Sequence, residues 1–244
     1  LGENIDLQLL KIKGSENAKI DGFYAGLMEV TQAQWSSIMG ANPSKFSNCL
    51  ECPVETVSWC EIQDFLQQLS KKTGKKYRLP TEREWSYLAS EGKQPELVDD
   101  LNSTQLLEQA SCRGAFTATH IVQEGEAIRL ITYLYGVTPE QLISWNGLSD
   151  YTLTPGEELI VGLNDGGMSS TQPVGAKMQN RLGLYDLVGN VWEWCESDST
   201  KAILRGGSYK SLYGECQPKS RMIAKPSTKD SIIGFRVVWF PNEN

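Results

Sequence analysis

Tyr77-Arg-Leu-Pro-Thr-Glu-Arg-Glu-Trp85 sets a threonine at position 81 and a glutamate at 84. A hydroxyl and an acid or amide three residues on satisfy two otherwise orphaned backbone donors and so start a helix. The same grammar occurs twice upstream, at Thr31 with Gln34 and at Ser58 with Glu61. In the helix begun at Ser58, Ile62, Phe65, Leu66 and Leu69 fall on one face. Lys71 and Lys72 sit in its last turn, and Gly74 follows where a left-handed stop is wanted. Around these helices the chain is rich in Gly, Asn, Pro and Trp, with short strand-like pieces ending in Gly234-Phe-Arg-Val-Val-Trp-Phe240. Short helices, short strands and much irregular backbone predict a mixed α+β fold.

The chain has 244 residues, enough for one large domain or two small ones with a core that needs no metal or disulfide staple. Thirty acidic against 23 basic side chains give a net charge of -7, which repels polyphosphates, so nucleic acid is not an expected partner. No apolar run approaches bilayer length, and no membrane span is predicted. The single histidine, His120, removes the enzyme classes that draw on several imidazoles. Six cysteines fit an exported protein with some disulfides, or a reduced protein with buried thiols; export, to the periplasm or cell surface, is the expectation. No signal peptide opens the chain at Leu1, as expected of a mature form or an excised segment.

Between residues 118 and 163 the texture changes. His120-Ile121-Val122 reads as a strand, Gly125-Glu126 as a turn, and the next run as a helix with Ile128, Ile131 and Leu134 inward, stopped by Gly136. Thr138 caps a second helix with Pro139 first and Leu142, Ile143 and Trp145 as its apolar face. Asn146-Gly147 and Pro155-Gly156 turn the chain, and Leu159-Ile160-Val161 closes it as a strand. This is a βααβ module inserted in a larger, discontinuous domain of residues 1–117 and 168–244.

The module resembles a LysM domain through His120-Ile-Val, Gly125-Glu126, Tyr135-Gly-Val-Thr138, Leu142, Trp145-Asn-Gly-Leu148, Leu153-Thr-Pro-Gly156 and Leu159. The resemblance implies binding of N-acetylglucosamine-containing glycan such as peptidoglycan or chitin. The groove would be lined by Gly125, Glu126, Ala127 and Ile128 on one side and Asn146, Gly147, Leu148 and Ser149 on the other. Backbone amides and small side chains there suit an acetamido group. A spacer, with Ile128 and Leu148 simply in its core, is the alternative.

The rest of the chain resembles the formylglycine-generating enzyme (sulfatase-modifying factor) family, which has a C-type-lectin-like fold. The residues that carry this are Glu29-Val-Thr-Gln-Ala-Gln-Trp35, Asn42-Pro-Ser44, Pro53-Val-Glu-Thr-Val-Ser-Trp59 and Tyr77 to Trp85. Beyond the module they are Gln172-Pro-Val-Gly175, Leu182-Gly-Leu-Tyr-Asp-Leu-Val-Gly-Asn-Val-Trp-Glu-Trp-Cys195, Leu204-Arg-Gly-Gly-Ser-Tyr209 and Gly234-Phe-Arg236. Enzymes of the family oxidise a substrate cysteine to formylglycine with oxygen and a copper(I) ion held by two thiolates, a soft pair for a soft metal. Aligned from Gly206-Gly-Ser-Tyr209, the first thiolate position is Ser211 and the second is Cys216. A serine hydroxyl neither ionises near neutral pH nor binds copper(I) well, so no copper and no catalysis are expected, and Ser211 and Cys216 are vestigial. Related iron-dependent sulfoxide synthases use three histidines, which one histidine does not supply.

The same resemblance carries over a calcium site, with Asp186 and Glu193 by side chain and Gly189 and Val191 by carbonyl, hard oxygen donors of the kind calcium takes. Against it stands a structural role, in which Asp186 and Glu193 cap turns or pair with Arg205 or Arg236. Cys49 and Cys52 admit a redox dithiol, half a zinc site or a loop disulfide; the last is expected, because no second Cys-x-x-Cys completes a zinc site and no helix start activates a thiol. The pairing of Cys60, Cys112 and Cys195 is not readable from spacing. The resulting expectation is a non-catalytic exported binding protein, attached to cell-wall glycan by the module and recognising another envelope protein or other ligand through residues 209–230, where Tyr209 and Tyr213 suit an exposed face. The alternatives are an active formylglycine-generating oxidase, and a variable ligand-binding protein of a diversity-generating retroelement.

Overall fold

The computed structural model describes residues 6–97, 100–101, 103–112, 115–164, 168–197 and 201–241. All three helix starts read from the sequence form as reciprocal capping boxes: Thr31 for α1 (Gln32–Met39), Ser58 for α2 (Trp59–Thr73) and Thr81 for α3 (Glu82–Ala89). Gly74 ends α2 at φ 71°, where an L side chain would be strained. Strands β1 (Leu9–Ile12), β2 (Phe23–Gly26), β3 (Tyr77–Arg78) and β10 (Val238–Trp239) form one sheet in the order β1-β2-β10-β3. The C-terminal strand is thus inserted between two N-terminal ones, Val238 pairing with both Ala25 and Arg78. A second sheet, β8-β7-β6-β9, holds β6 (Trp192–Trp194), β7 (Ala202–Arg205), β8 (Arg221–Ala224) and β9 (Ile233–Gly234).

The predicted face of α2 is the core face: Ile62, Phe65, Leu66 and Leu69 are all buried. Each such side chain stabilises the fold by about 1.5–3 kcal/mol on the scale of apolar transfer. Trp35 stacks on Phe65 at 5.0 Å and meets Phe235 edge-on at 6.0 Å, tying α1 and α2 to the end of the second sheet. Another cluster, with Phe23, Trp85, Leu88, Leu184, Leu187 and Cys195, joins α3 to the Leu182–Cys195 segment.

After α4 (Ser103–Gln109), the predicted βααβ unit is present, with β4 (Ala115–Ile121), α5 (Ile128–Tyr135), α6 (Pro139–Asn146) and β5 (Glu158–Asn164), the strands antiparallel with His120 opposite Leu159. Its core is Val122, Ile128, Ile131, Leu142, Leu159 and Val161. Leu134, expected inward, is instead 56% exposed: six residues past Ile128 a helix has turned to its far side. Trp145 lies outside the unit's core and packs against a cluster in which Ile160 of the unit joins Leu106 and Cys216 of the larger domain. The unit is therefore docked on the scaffold through α6. A Cβ at Gly214 would stand only 3.3 Å from Ser144 O, so a side chain there would press on α6. Among the described residues no helix is long and apolar enough to cross a membrane.

Candidate functional site

β7 delivers the chain into Gly206 and Gly207, at φ 96° and 82°. A Cβ at Gly206 would lie 2.6 Å from Leu187 O, and one at Gly207 2.9 Å from Cys216 Sγ, so both glycines are needed for close approach as well as for backbone sign. Beyond them, Ser208 N donates to Ser211 Oγ at 3.1 Å and Ser211 N donates to Ser208 O at 2.9 Å. Cys216 donates its thiol to the same Ser208 carbonyl at 3.5 Å. The hydroxyl of Ser211 is thus part of the turn. Cys216 is fully buried, and burial, followed by contact with Cys112, pushes its pKa well above the ordinary thiol value.

Cys112 is the residue that spacing could not find. It and Cys216 share one buried cluster with Leu106, Ala110, Ile160 and Val188, and Cys112 is among the groups that push the Cys216 thiol up. Tyr209, read as part of an exposed face, is buried instead, edge-on to Phe46 at 5.8 Å with its hydroxyl 3.4 Å from Ser231. The side chain of Tyr213 lies outside the described residues. Cys49 and Cys52 close the expected loop disulfide.

Behind the Gly206 turn lies a buried charge cluster. Glu193 accepts from Arg236 Nε at 2.7 Å, from Arg236 Nη2 at 2.5 Å and from Trp85 Nε1 at 2.7 Å, with both charged side chains essentially without solvent exposure. Arg236 also donates to the carbonyls of Gly26 and Tyr185. Burial opposes its charge, but the Glu193 carboxylate outweighs that and its pKa is raised. Glu29 and Asp186 add two more buried carboxyls. Burial, then the negative charges of Asp186 and Glu193, raises Glu29 well above the carboxylate range, and burial pushes Asp186 up to about 6. Asp186 Oδ2 accepts from Gly175 N at 2.6 Å and Glu29 Oε2 from Asn190 at 3.1 Å. Asp186 Oδ1 and Glu29 Oε1 have no hydrogen-bond partner among the described residues. Gly189 has its own reason to lack a side chain: it bridges to Ser111, whose carbonyl a Cβ would meet at 2.4 Å.

The eight groove positions of the βααβ unit divide. Gly125, Ala127, Gly147 and Ser149 are exposed and Leu148 is half-buried. Ile128 is buried in the unit's core. Glu126 is tied to His120 Nε2 at 2.7 Å and to Gln123 N at 2.7 Å. The Asn146 amide clasps β5, donating to Ile160 O at 2.9 Å and accepting from Ile160 N at 2.7 Å. Ile128 and Asn146 therefore hold the unit together, and the groove positions left accessible are Gly125, Ala127, Gly147, Leu148 and Ser149.

Over residues 5–120 and 135–240 the chain matches the sulfatase-modifying factor enzyme 1-like domain. It belongs to that family. Among its relatives is a protein of Paenibacillus barcinonensis named chaperone protein LppX, 28% identical over 80% of this chain and 72% of its own length. Another is the bovine (Bos taurus) inactive C-alpha-formylglycine-generating enzyme 2, 26% identical over 86% of this chain; the match spans 57% of the bovine protein's length. In three dimensions the fold is that of Treponema denticola variable protein 1, with a TM-score of 0.67, 20% identity and 98% of each chain covered.

The metals that the family resemblance implied can be tested on this member's donors. For copper(I), the two aligned positions offer the turn-bound hydroxyl of Ser211 and a thiol kept protonated by burial, and this pair does not fit a soft cation that wants two thiolates. For calcium, Asp186 presents an open oxygen, but Glu193 is the counter-ion of Arg236, the second of the two roles its position allowed. The four-donor set does not fit calcium without breaking that pair. Among the described residues no group of three or more His, Cys, Asp or Glu side chains is arranged to hold a metal ion.

Proposed function

We propose that this sulfatase-modifying-factor-like protein is a non-catalytic, extracytoplasmic binding protein. Its scaffold recognises another protein, and its βααβ unit, a LysM-type module, fastens it to N-acetylglucosamine-containing glycan. The observation that carries the first half is the Ser208–Ser211 turn: the hydroxyl at the first thiolate position is an internal hydrogen-bond acceptor, and the remaining thiol has no surface exposure. Two relatives support it by name, one as a chaperone protein and one as an inactive formylglycine-generating enzyme. The glycan half rests on the exposed small residues Gly125, Ala127, Gly147 and Ser149 and on half-buried Leu148. Backbone amides there can pair with an acetamido group while Leu148 packs its methyl.

The experiment is sedimentation with insoluble peptidoglycan and chitin, comparing the unaltered chain with Ala127→Trp and Ser149→Trp. Both substitutions set a large ring at exposed positions of the proposed glycan site and leave the unit's core alone. The unaltered chain is expected in the pellet and the two variants in the supernatant. Equal retention of all three, or retention of none, would remove the module's role in attachment.

A further inference from the structure

Outside the Cys49–Cys52 disulfide, Cys60 is exposed and Cys112, Cys195 and Cys216 are buried. Two of these buried free thiols, Cys112 and Cys216, lie in the same apolar cluster, and their flanks are pinned independently. On the Cys112 side, Ser111 O accepts from Asn190 N at 2.5 Å and Ser111 bridges to Gly189. On the Cys216 side, Gln217 Oε1 accepts from Leu101 N at 2.8 Å and Gln217 Nε2 donates to Leu101 O at 3.3 Å. The surrounding Leu106, Ala110, Ile160 and Val188 are apolar. Such a shell decides between the fates open to two facing sulfurs. A two-thiolate copper(I) complex carries a net negative charge, which an apolar shell disfavours, whereas a disulfide is neutral and apolar.

We propose that Cys112 and Cys216 form a second disulfide, which ties the stem of the βααβ unit to the turn that follows Gly206-Gly207-Ser208. The oxidant is a disulfide of a small-molecule or protein thiol carrier, of which oxidised glutathione is the simplest. Cys112, 6% exposed against none for Cys216, is the entry point while the chain folds. Its thiolate attacks the carrier disulfide, and one carrier thiolate leaves. The Cys216 thiolate then attacks the Cys112 sulfur of the mixed disulfide and expels the second carrier thiolate. The two cysteines lose two electrons and two protons, and the carrier gains both as two thiols. Once closed, the bond lies where reductants have almost no access. It also consumes the one thiol retained at the aligned pair, so that the remnant of a metal-binding couple becomes a strut between module and scaffold.

The full chain, refolded in a mixture of reduced and oxidised glutathione, is denatured in N-ethylmaleimide, digested and mapped by mass spectrometry. The expected result is one peptide pair joined through Cys112 and Cys216, with Cys60 and Cys195 labelled. Labelling of both Cys112 and Cys216, or Cys216 joined to any other cysteine, overturns the proposal. A second measurement reads the bond's effect. Reduction in denaturant followed by refolding in reductant should lower the thermal midpoint of the unaltered protein by several degrees more than that of Cys112→Ser, since only the former has this bond to lose. Equal drops in the two proteins overturn it. Copper found in stoichiometric amount on the two sulfurs would overturn both this inference and the non-catalytic reading, whereas free thiols without metal would overturn the disulfide alone.

Discussion

Replacing Glu193 by Gln keeps the shape of a side chain at the centre of the scaffold and removes its charge. In the native protein its two oxygens take three contacts from Arg236 and one from Trp85, and neither partner of the ion pair has appreciable solvent exposure. Breaking a buried pair by removing one charge costs about 3–5 kcal/mol, because the other charge remains desolvated. Asp186, ionised above its pKa of about 6, stays within electrostatic range of Arg236, which places the expected loss near the lower end, about 3 kcal/mol. For a chain of this size, that corresponds to a fall in Tm of roughly 6–12 °C. Urea unfolding followed by the fluorescence of buried Trp85 and Trp194 measures it, with the midpoint falling and the slope unchanged. Adding Arg236→Met to Glu193→Gln should recover part of the loss, since the stranded guanidinium is then gone. A loss under about 1 kcal/mol for the single variant would refute the reasoning, for it would mean that this pair is not desolvated as argued.

Other consequences can be measured in the same way. Gly206→Ala should destabilise by at least about 1–3 kcal/mol from its left-handed backbone alone, with the approach to Leu187 O adding to that, and a denaturant midpoint reads it. Asn146→Ala leaves Ile160 N without its acceptor and should cost about 1–3 kcal/mol, seen as faster hydrogen exchange across β5, while exchange in the α2 core stays unchanged. Trp35→Ala removes the ring stacked on Phe65 and should cost about 3–5 kcal/mol in the same urea assay. Removing calcium with a chelator should leave Tm unmoved, because the Glu193 carboxylate is held by Arg236; a calcium-dependent rise in Tm would contradict that.

Local chemistry was the legible part of the sequence. A hydroxyl and an acid at fixed spacing define a helix start by themselves, so Thr31, Ser58 and Thr81 were readable, as was the apolar face of α2. Periodicity served less well where an element touches two surroundings. Trp145 belongs to a helix of the βααβ unit yet packs on the scaffold, and Leu134 turns outward because the inward face of α5 is set by Ile128, Ile131 and Thr132. Tyr209 looked like a surface aromatic, since no spacing rule places Phe46 over it. The insertion of β10 between β2 and β3 depends on contacts between the two ends of the chain, as does the meeting of Cys112 with Cys216 across the whole unit. Glu193 was narrowed to two roles by its neighbours in sequence; the choice of Arg236 was made by folding.

The most direct test of a binding role without oxidase chemistry is anaerobic loading of the full chain with copper(I), removal of weakly held metal, and oxygen uptake with a cysteine-containing sulfatase-type peptide. No stoichiometric copper and no formylglycine in the peptide is the predicted result. One tightly held copper per chain, together with conversion of the peptide cysteine to formylglycine, would contradict it.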